Sequence, residues 1–289
     1  MNNQIAIHPA AWAAELTPDN ATAIARRAAG HGFHRMTVPL RTPETIDAGA
    51  FEKALRDTGI RPVNTAGQLP DADLSSVDEE VRERGRNRLR LAVRLARDMG
   101  SDHVGGVLYG PLRHAPVQPS GETRRIAAES LAIVAEEAKT LGVRLVLEIV
   151  NRYETNLLTH AAAGVSFVEE AGSDNLFLHL DTYHMNIEEP DLGAAVRLAL
   201  PHLAYLELGQ NHRGDLTRGH IPVREVLATA LAAGYRGMIG VEAFTRRLMT
   251  TQVATSLAIW RDVFDDGDTL AAEAARLVHD ALADHVAPN

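Results

Sequence analysis

The sequence predicts a (β/α)8 barrel, the TIM-barrel class of α/β fold. Three observations carry that prediction. Short apolar or β-branched runs alternate with longer segments of helical period, the mark of β/α units around a parallel sheet. The runs number eight. A length of 289 residues suits one barrel, which takes about 250 residues, and no Pro- or Ser-rich linker divides the chain into two domains. Residues 1–289 are therefore expected to form a single barrel domain with a helical extension from about 249.

The strands are expected near 5–7, 35–38, 62–65, 103–108, 143–149, 176–180, 203–206 and 238–241. Helical patterns fall between them near 18–30, 43–58, 76–99, 122–141, 161–171, 192–200 and 223–233, each long enough for a parallel crossover. Thr17 before Pro18 and Thr42 before Pro43 read as N-caps with proline in the first turn. Gly100, Gly142 and Gly234 stand where helices should stop. The longest helical segment, VDEEVRERGRNRLRLAVRLARDMG, carries a dense Arg/Glu face that reads as a solvated surface with i to i+4 pairs. After the eighth strand, TTQVATSLAIWRDVFDD leads into a last helix, LAAEAARLVHDALADHV.

Composition narrows the chemistry. The chain has no cysteine, which excludes a disulfide scaffold, a thiolate metal site and a thiol nucleophile. Any metal must be held by Asp, Glu and His. With 29 Lys and Arg against 38 Asp and Glu, the formal charge is −9, which gives no general attraction to nucleic acid or anionic membranes. The start, MNNQIAIHPAAW, lacks the pattern of a secretory signal, and no apolar run approaches the roughly 20 residues of a membrane helix. A cytoplasmic protein with a small-molecule substrate is expected.

In a barrel of this class, ionisable residues at the C-terminal ends of strands face the active site. Four acids close the last four strands: Glu148, Asp181, Glu207 and Glu242, spaced by 33, 26 and 35 residues, or about one β/α unit each. Any one acid after an apolar run is often a cap or turn residue. Four in succession point to convergence. Carboxylates 4 Å apart repel by about 4 kcal/mol per pair at an effective dielectric of 20, unless protonated or bound to a cation. One divalent cation relieves that repulsion, and oxygen ligation favours Mg²⁺ or Mn²⁺, with Co²⁺ as a further option. Glu154, His184 and Arg213 lie on the loops above these strands, and His8 closes the first strand with Trp12 just beyond it. These are the expected pocket residues, with Asn151, Arg152 and Asn186 as donors that hold the carboxylates.

The run LEIVNRYETNLLTHAAAGVSFVEE followed by HLDTYHMNIEEPDL resembles the D-tagatose/D-psicose (D-allulose) 3-epimerase family of xylose-isomerase-like barrels. TAGQLPDADLSSVDEEVRERG and GGVLYGP upstream and GVEAF downstream extend the resemblance over roughly residues 1 to 250. It implies that Glu148, Asp181 and Glu242 bind the metal, and that Glu148 and Glu242 are also the acid/base pair. It further implies that Glu154, His184 and Arg213 bind the oxygens of a ketose, and that the protein is a homodimer or homotetramer. One position departs from the family pattern. Six residues before the substrate-binding arginine the family has a metal-binding histidine, in a motif like HxGExNR, whereas this chain reads ELGQNHR with Glu207 at that place. His212 is at the wrong offset to replace it. Three carboxylates and an imidazole around a divalent cation sum to −1, and four carboxylates to −2, which makes the ion a weaker Lewis acid and favours hard Mg²⁺ or Mn²⁺.

The expected reaction is metal-dependent epimerisation or isomerisation of a ketose by proton abstraction through a cis-enediolate. The alternatives are a metal-dependent keto-sugar lyase, which would release a leaving group, and a catalytically silent sugar-binding subunit. No phosphate-cradling glycine motif is present, although Arg246 and Arg247 keep a phosphorylated sugar open.

Overall fold

The computed structural model describes residues 3–113 and 117–286. Eight parallel strands close into a barrel in chain order: β1 (Ile5–Ile7), β2 (Arg35–Pro39), β3 (Arg61–Thr65), β4 (His103–Gly106), β5 (Arg144–Ile149), β6 (Leu176–Asp181), β7 (Leu203–Leu208) and β8 (Met238–Val241). The crossover helices are α1 (Pro18–Gly30), α2 (Ala48–Leu55), α3 (Glu79–Asp98), α4 (Gly121–Thr140), α5 (Ala161–Ala171), α6 (Thr182–Glu188), α7 (Leu192–Ala199) and α8 (Val223–Ala232). Beyond β8 come α9 (Thr251–Ser256) and α10 (Gly267–Val286). The expected eightfold barrel is therefore present. Among the described residues, no helix is long and apolar enough to cross a membrane.

Alternate strand residues point outward to the helices and inward to the barrel axis. Leu145, Leu147 and Ile149 of β5 and Leu176, Leu178 and Leu180 of β6 join the large core between strands and helices. The opposite parity fills the barrel, where Ala6, Val63, Val146 and Tyr205 form a smaller cluster. Gly240 makes room for that cluster: a Cβ there would overlap the Tyr205 ring and hydroxyl. Gly240→Ala is therefore expected to cost about 1–3 kcal/mol through overpacking, read as a lowered denaturation midpoint with an unchanged m-value.

Several elements differ from the expected ones. The helix expected over 43–58 is split into a 3-10 turn at Pro43–Thr45 and α2, because the Asp47 carboxylate accepts from the Ala50 N–H at 2.9 Å and starts a new helix. Strand β4 stops at Gly106, short of 108, where φ reaches +107° beside the Ala66 carbonyl. The segment after β6, expected as loop, is helix α6, capped by Asp181. The Arg/Glu face of α3 is only partly solvated: Arg86 is buried between Glu79 and Glu83, Arg88 reaches Glu44 at 2.5 Å, and Arg90 reaches Glu137 of α4 at 2.7 Å. Trp12 serves packing. Its indole donates to Asp268 at 2.9 Å in the first turn of α10, where Arg27 also pairs at 2.7 Å, and α10 packs against α8.

Candidate active site

Strand parity places the four acids on inward positions at the same mouth. Glu148 follows Val146 on β5, Asp181 ends β6, Glu207 follows Tyr205 on β7, and Glu242 lies one residue past β8. Asp181 and Glu207 are register partners, and Glu207 pairs in turn with Gly240. Asp181, Glu207 and Glu242 each present a carboxylate oxygen within 4.8 Å of the others. Glu148 joins this set through two further groups of the same span, one with Asp181 and His184 and the other with His179 and Glu207. The sequence-predicted acids therefore converge.

The electrostatics are those of crowded acids out of water. Burial, with Glu242 and Asp181 among the nearby charges, pushes Glu148 up to about 8. Burial and Glu242 push Glu207 up to about 8 as well, and burial with the neighbouring carboxylates raises Asp181 well above its ordinary value. Each acid is also held in place. Asp181 Oδ1 accepts from the Tyr183 N–H at 2.9 Å, Tyr205 donates to Glu207 Oε1 at 2.8 Å, and Tyr109 fixes the end of β5 by donating to the Glu148 carbonyl at 2.9 Å.

Around the acids stands a polar wall. His184 Nδ1 accepts from the Asn151 backbone N–H at 3.2 Å and is 2.8 Å from its side-chain amide, which puts the ring proton on Nε2, facing Glu148 at 3.6 Å and Asp181 at 3.8 Å. Burial and the Arg213 charge depress its basicity, so the ring is neutral. Asn151 also donates to Glu154 Oε1 at 3.2 Å. Arg213 is buried, ion-paired with Glu242, 3.8 Å from Asp181, and sandwiched by the rings of Tyr183 and Phe244 at 4.2 and 4.9 Å. Its φ of +56° is a left-handed conformation that costs a non-glycine residue roughly 1–2 kcal/mol. Backbone bonds to Gln210 and Phe244, both 2.7 Å, hold it there. His8 lies edge-on to Phe244 at 5.2 Å, and burial lowers its pKa to about 4.

Other residues raised by the sequence lie elsewhere. Arg152 pairs with Glu188 at the surface at 2.8 Å, and Asn186 bonds His220 at 3.1 Å. His212 bonds the Arg218 carbonyl, away from the acids. Sequence reasoning missed His179, Tyr205, Tyr183 and Phe244. The alternation of His179 with Asp181 and of Tyr205 with Glu207 was the available signal.

Three features fit a divalent cation. Asp181 Oδ2 is buried with no hydrogen-bond partner among the described residues. Glu148 and Glu207 are driven toward protonation by burial and by neighbouring carboxylates, Glu242 foremost among them. The donor set of carboxylate oxygens, with imidazole beside them, is the chemistry of a hard or borderline ion. Glu148, Asp181, Glu207 and Glu242 are the residues that would hold it.

A parallel barrel with crowded acids, a neutral imidazole and a braced arginine at its C-terminal mouth has the arrangement of an enzyme active site for a small polar substrate. Residues 25–277 match the family described as xylose isomerase-like TIM barrel. The chain is 37% identical over 278 residues to the L-ribulose 3-epimerase of Mesorhizobium japonicum, covering 95% of this chain and 93% of the relative. A solved structure of L-ribulose 3-epimerase superposes with a TM-score of 0.92 at 35% identity, covering 98% of this chain and 95% of that one. D-allulose 3-epimerase from Methylomonas sp. in complex with D-allulose gives 0.92 at 30% identity over 97% of each chain. The chain belongs to the xylose isomerase-like TIM barrels and, within them, to the ketose 3-epimerases, isomerase-class enzymes that act on carbohydrates.

Proposed function

We propose that this chain inverts C3 of a free ketose with the help of one divalent cation, Mn²⁺ or Mg²⁺, with Co²⁺ also accepted. The observation that carries the reading is the arc of acids. Glu148 and Glu242 sit at its two ends, on β5 and past β8, with Asp181 and Glu207 between them. A sugar lying across the arc has one carboxylate on each side, as inversion requires: one group takes the C3 proton from one face and the other returns a proton to the opposite face. When bound, the cation would polarise the carbonyl and ease removal of the neighbouring proton. Glu148 stands at one end of the arc to carry a proton, while Glu242, at the other, is oriented by its ion pair with Arg213.

His184 presents its Nε2–H to a substrate oxygen, Glu154 accepts a hydroxyl, and His8 closes the far wall. Arg213 holds both substrate and Glu242. Arg213→Lys is therefore expected to lower kcat/KM by about 10–100-fold, because an ammonium cannot fork to a carboxylate or stack between Tyr183 and Phe244. Steady-state kinetics check this, and an unchanged kcat/KM would remove Arg213 from the pocket.

An unphosphorylated substrate is supported by the ties on the two nearby cations. Arg247 pairs with Asp262 and Asp265, and Arg246 donates to the Met249 carbonyl at 3.0 Å. A panel of free ketoses and aldoses in D₂O with Mn²⁺, followed by NMR, tests the reading. Deuterium entering at C3 with formation of the C3 epimer is the expected result. An aldose product or a released fragment would replace it with isomerisation or elimination. A homodimer or homotetramer is the expected state, checked by sedimentation.

A further inference from the structure

We propose that His179 is a nitrogen donor to the cation, approaching it from inside the barrel. The inference rests on the cation-site reading above and adds a residue to it. His179 is the register partner of Glu148 across β5 and β6, so the two stand on one rung of the barrel. Its Nε2 lies 3.2 Å from Glu207 Oε2, without the alignment of a hydrogen bond. One of its ring nitrogens and one oxygen each of Glu148 and Glu207 fall within 4.8 Å of one another. The ring is 2% exposed, and neither nitrogen has a hydrogen-bond partner among the described residues.

A buried polar atom left unpartnered is costly, and an imidazole lone pair set beside two acids is placed to join them in holding a cation. The neighbours fix the ring in that place. Tyr205 stacks on it at 4.3 Å between ring centroids and donates to Glu207 Oε1, leaving Oε2 as the oxygen nearest the imidazole. Burial alone does not single it out, since His103, edge-on to the Tyr205 ring, is equally unpartnered among the described residues. His103 belongs to none of the acid groups, whereas His179 adjoins two of the four acids. A donor on β6 would give the site the nitrogen that position 207 does not provide, with no change in formal charge.

Mn²⁺ bound to the purified protein is a direct probe, because pulsed EPR detects ¹⁴N coupling from a coordinating imidazole. His184 is the other imidazole grouped with these acids. Wild type and His184→Gln are expected to show the coupling and His179→Gln to lose it, with Mn²⁺ affinity in equilibrium dialysis weakened tenfold or more. Absence of ¹⁴N coupling in wild type, its loss in His184→Gln, or its persistence in His179→Gln overturns the inference. If His179→Gln fails to fold, wild type and His184→Gln still decide. Stoichiometric Mn²⁺ binding without nitrogen coupling overturns His179 as a donor and leaves the cation site standing. Absence of Mn²⁺ binding to wild type overturns both.

Discussion

Glu148→Gln and Glu242→Gln are each expected to abolish exchange of solvent deuterium into the ketose and to lower turnover by about 10²–10⁴-fold. Glutamine keeps the volume and the hydrogen-bonding edge of glutamate but cannot accept and return a proton, so the loss reports chemistry and not packing. In the cation-free protein Glu148→Gln should raise the melting temperature. Burial and its acid neighbours already penalise the charged form of Glu148, and a neutral amide escapes that penalty. A variant that is inert and at least as stable separates catalysis from folding. Persistence of C3 exchange in both variants would sink the acid/base assignment.

Much of this site was legible because barrel geometry is simple. A strand-end acid repeated at intervals of one β/α unit returns to the same mouth whatever lies between, so spacing alone groups Glu148, Asp181, Glu207 and Glu242. The strands were legible for a related reason: each is a short apolar or β-branched run set between segments of helical period. Local competition between side chain and backbone was harder to read. Asp47 starts a helix inside an expected one, and Asp181 serves at once as a site acid and as the cap of α6. The residues that brace the site were hidden for a different reason. His179 and Tyr205 read as ordinary strand residues until strand pairing sets His179 level with Glu148 and Tyr205 beneath Gly240. Arg213 was found by its spacing from Glu207. Its left-handed backbone depends on the turn after β7, and the two rings that hold it come from Tyr183 in α6 and Phe244 after β8, contacts that only folding creates.

Chelation of divalent cations is expected to abolish exchange and also to make stability fall with rising pH in the weakly alkaline range. Without a cation, Glu148 and Glu207 titrate near 8 in the folded protein, against 4.5 for an ordinary glutamate. Between those values the native state holds protons that the unfolded chain has released, so stability falls as pH rises, by up to about 1.4 kcal/mol per pH unit for each group. Below pH 6.5 buried histidines oppose this trend. His8, held near 4, and His184, held lower than its ordinary value, remain neutral when folded and take up protons on unfolding, so their contribution grows with pH up to about 6.5. The acids therefore prevail above about pH 7, where the histidines of the unfolded chain are largely neutral. A bound cation replaces the two protons, so Mn²⁺ should release protons on binding and raise the melting temperature more at pH 8 than at about pH 7. Calorimetry with EDTA or Mn²⁺ at both pH values, and titration in buffers of different ionisation enthalpy, measure the two effects. A cation-free protein whose melting temperature holds or rises from about pH 7 to 8 would mean that the acids do not share one dry site. The carboxylate arc would then lack the repulsion that calls for a cation.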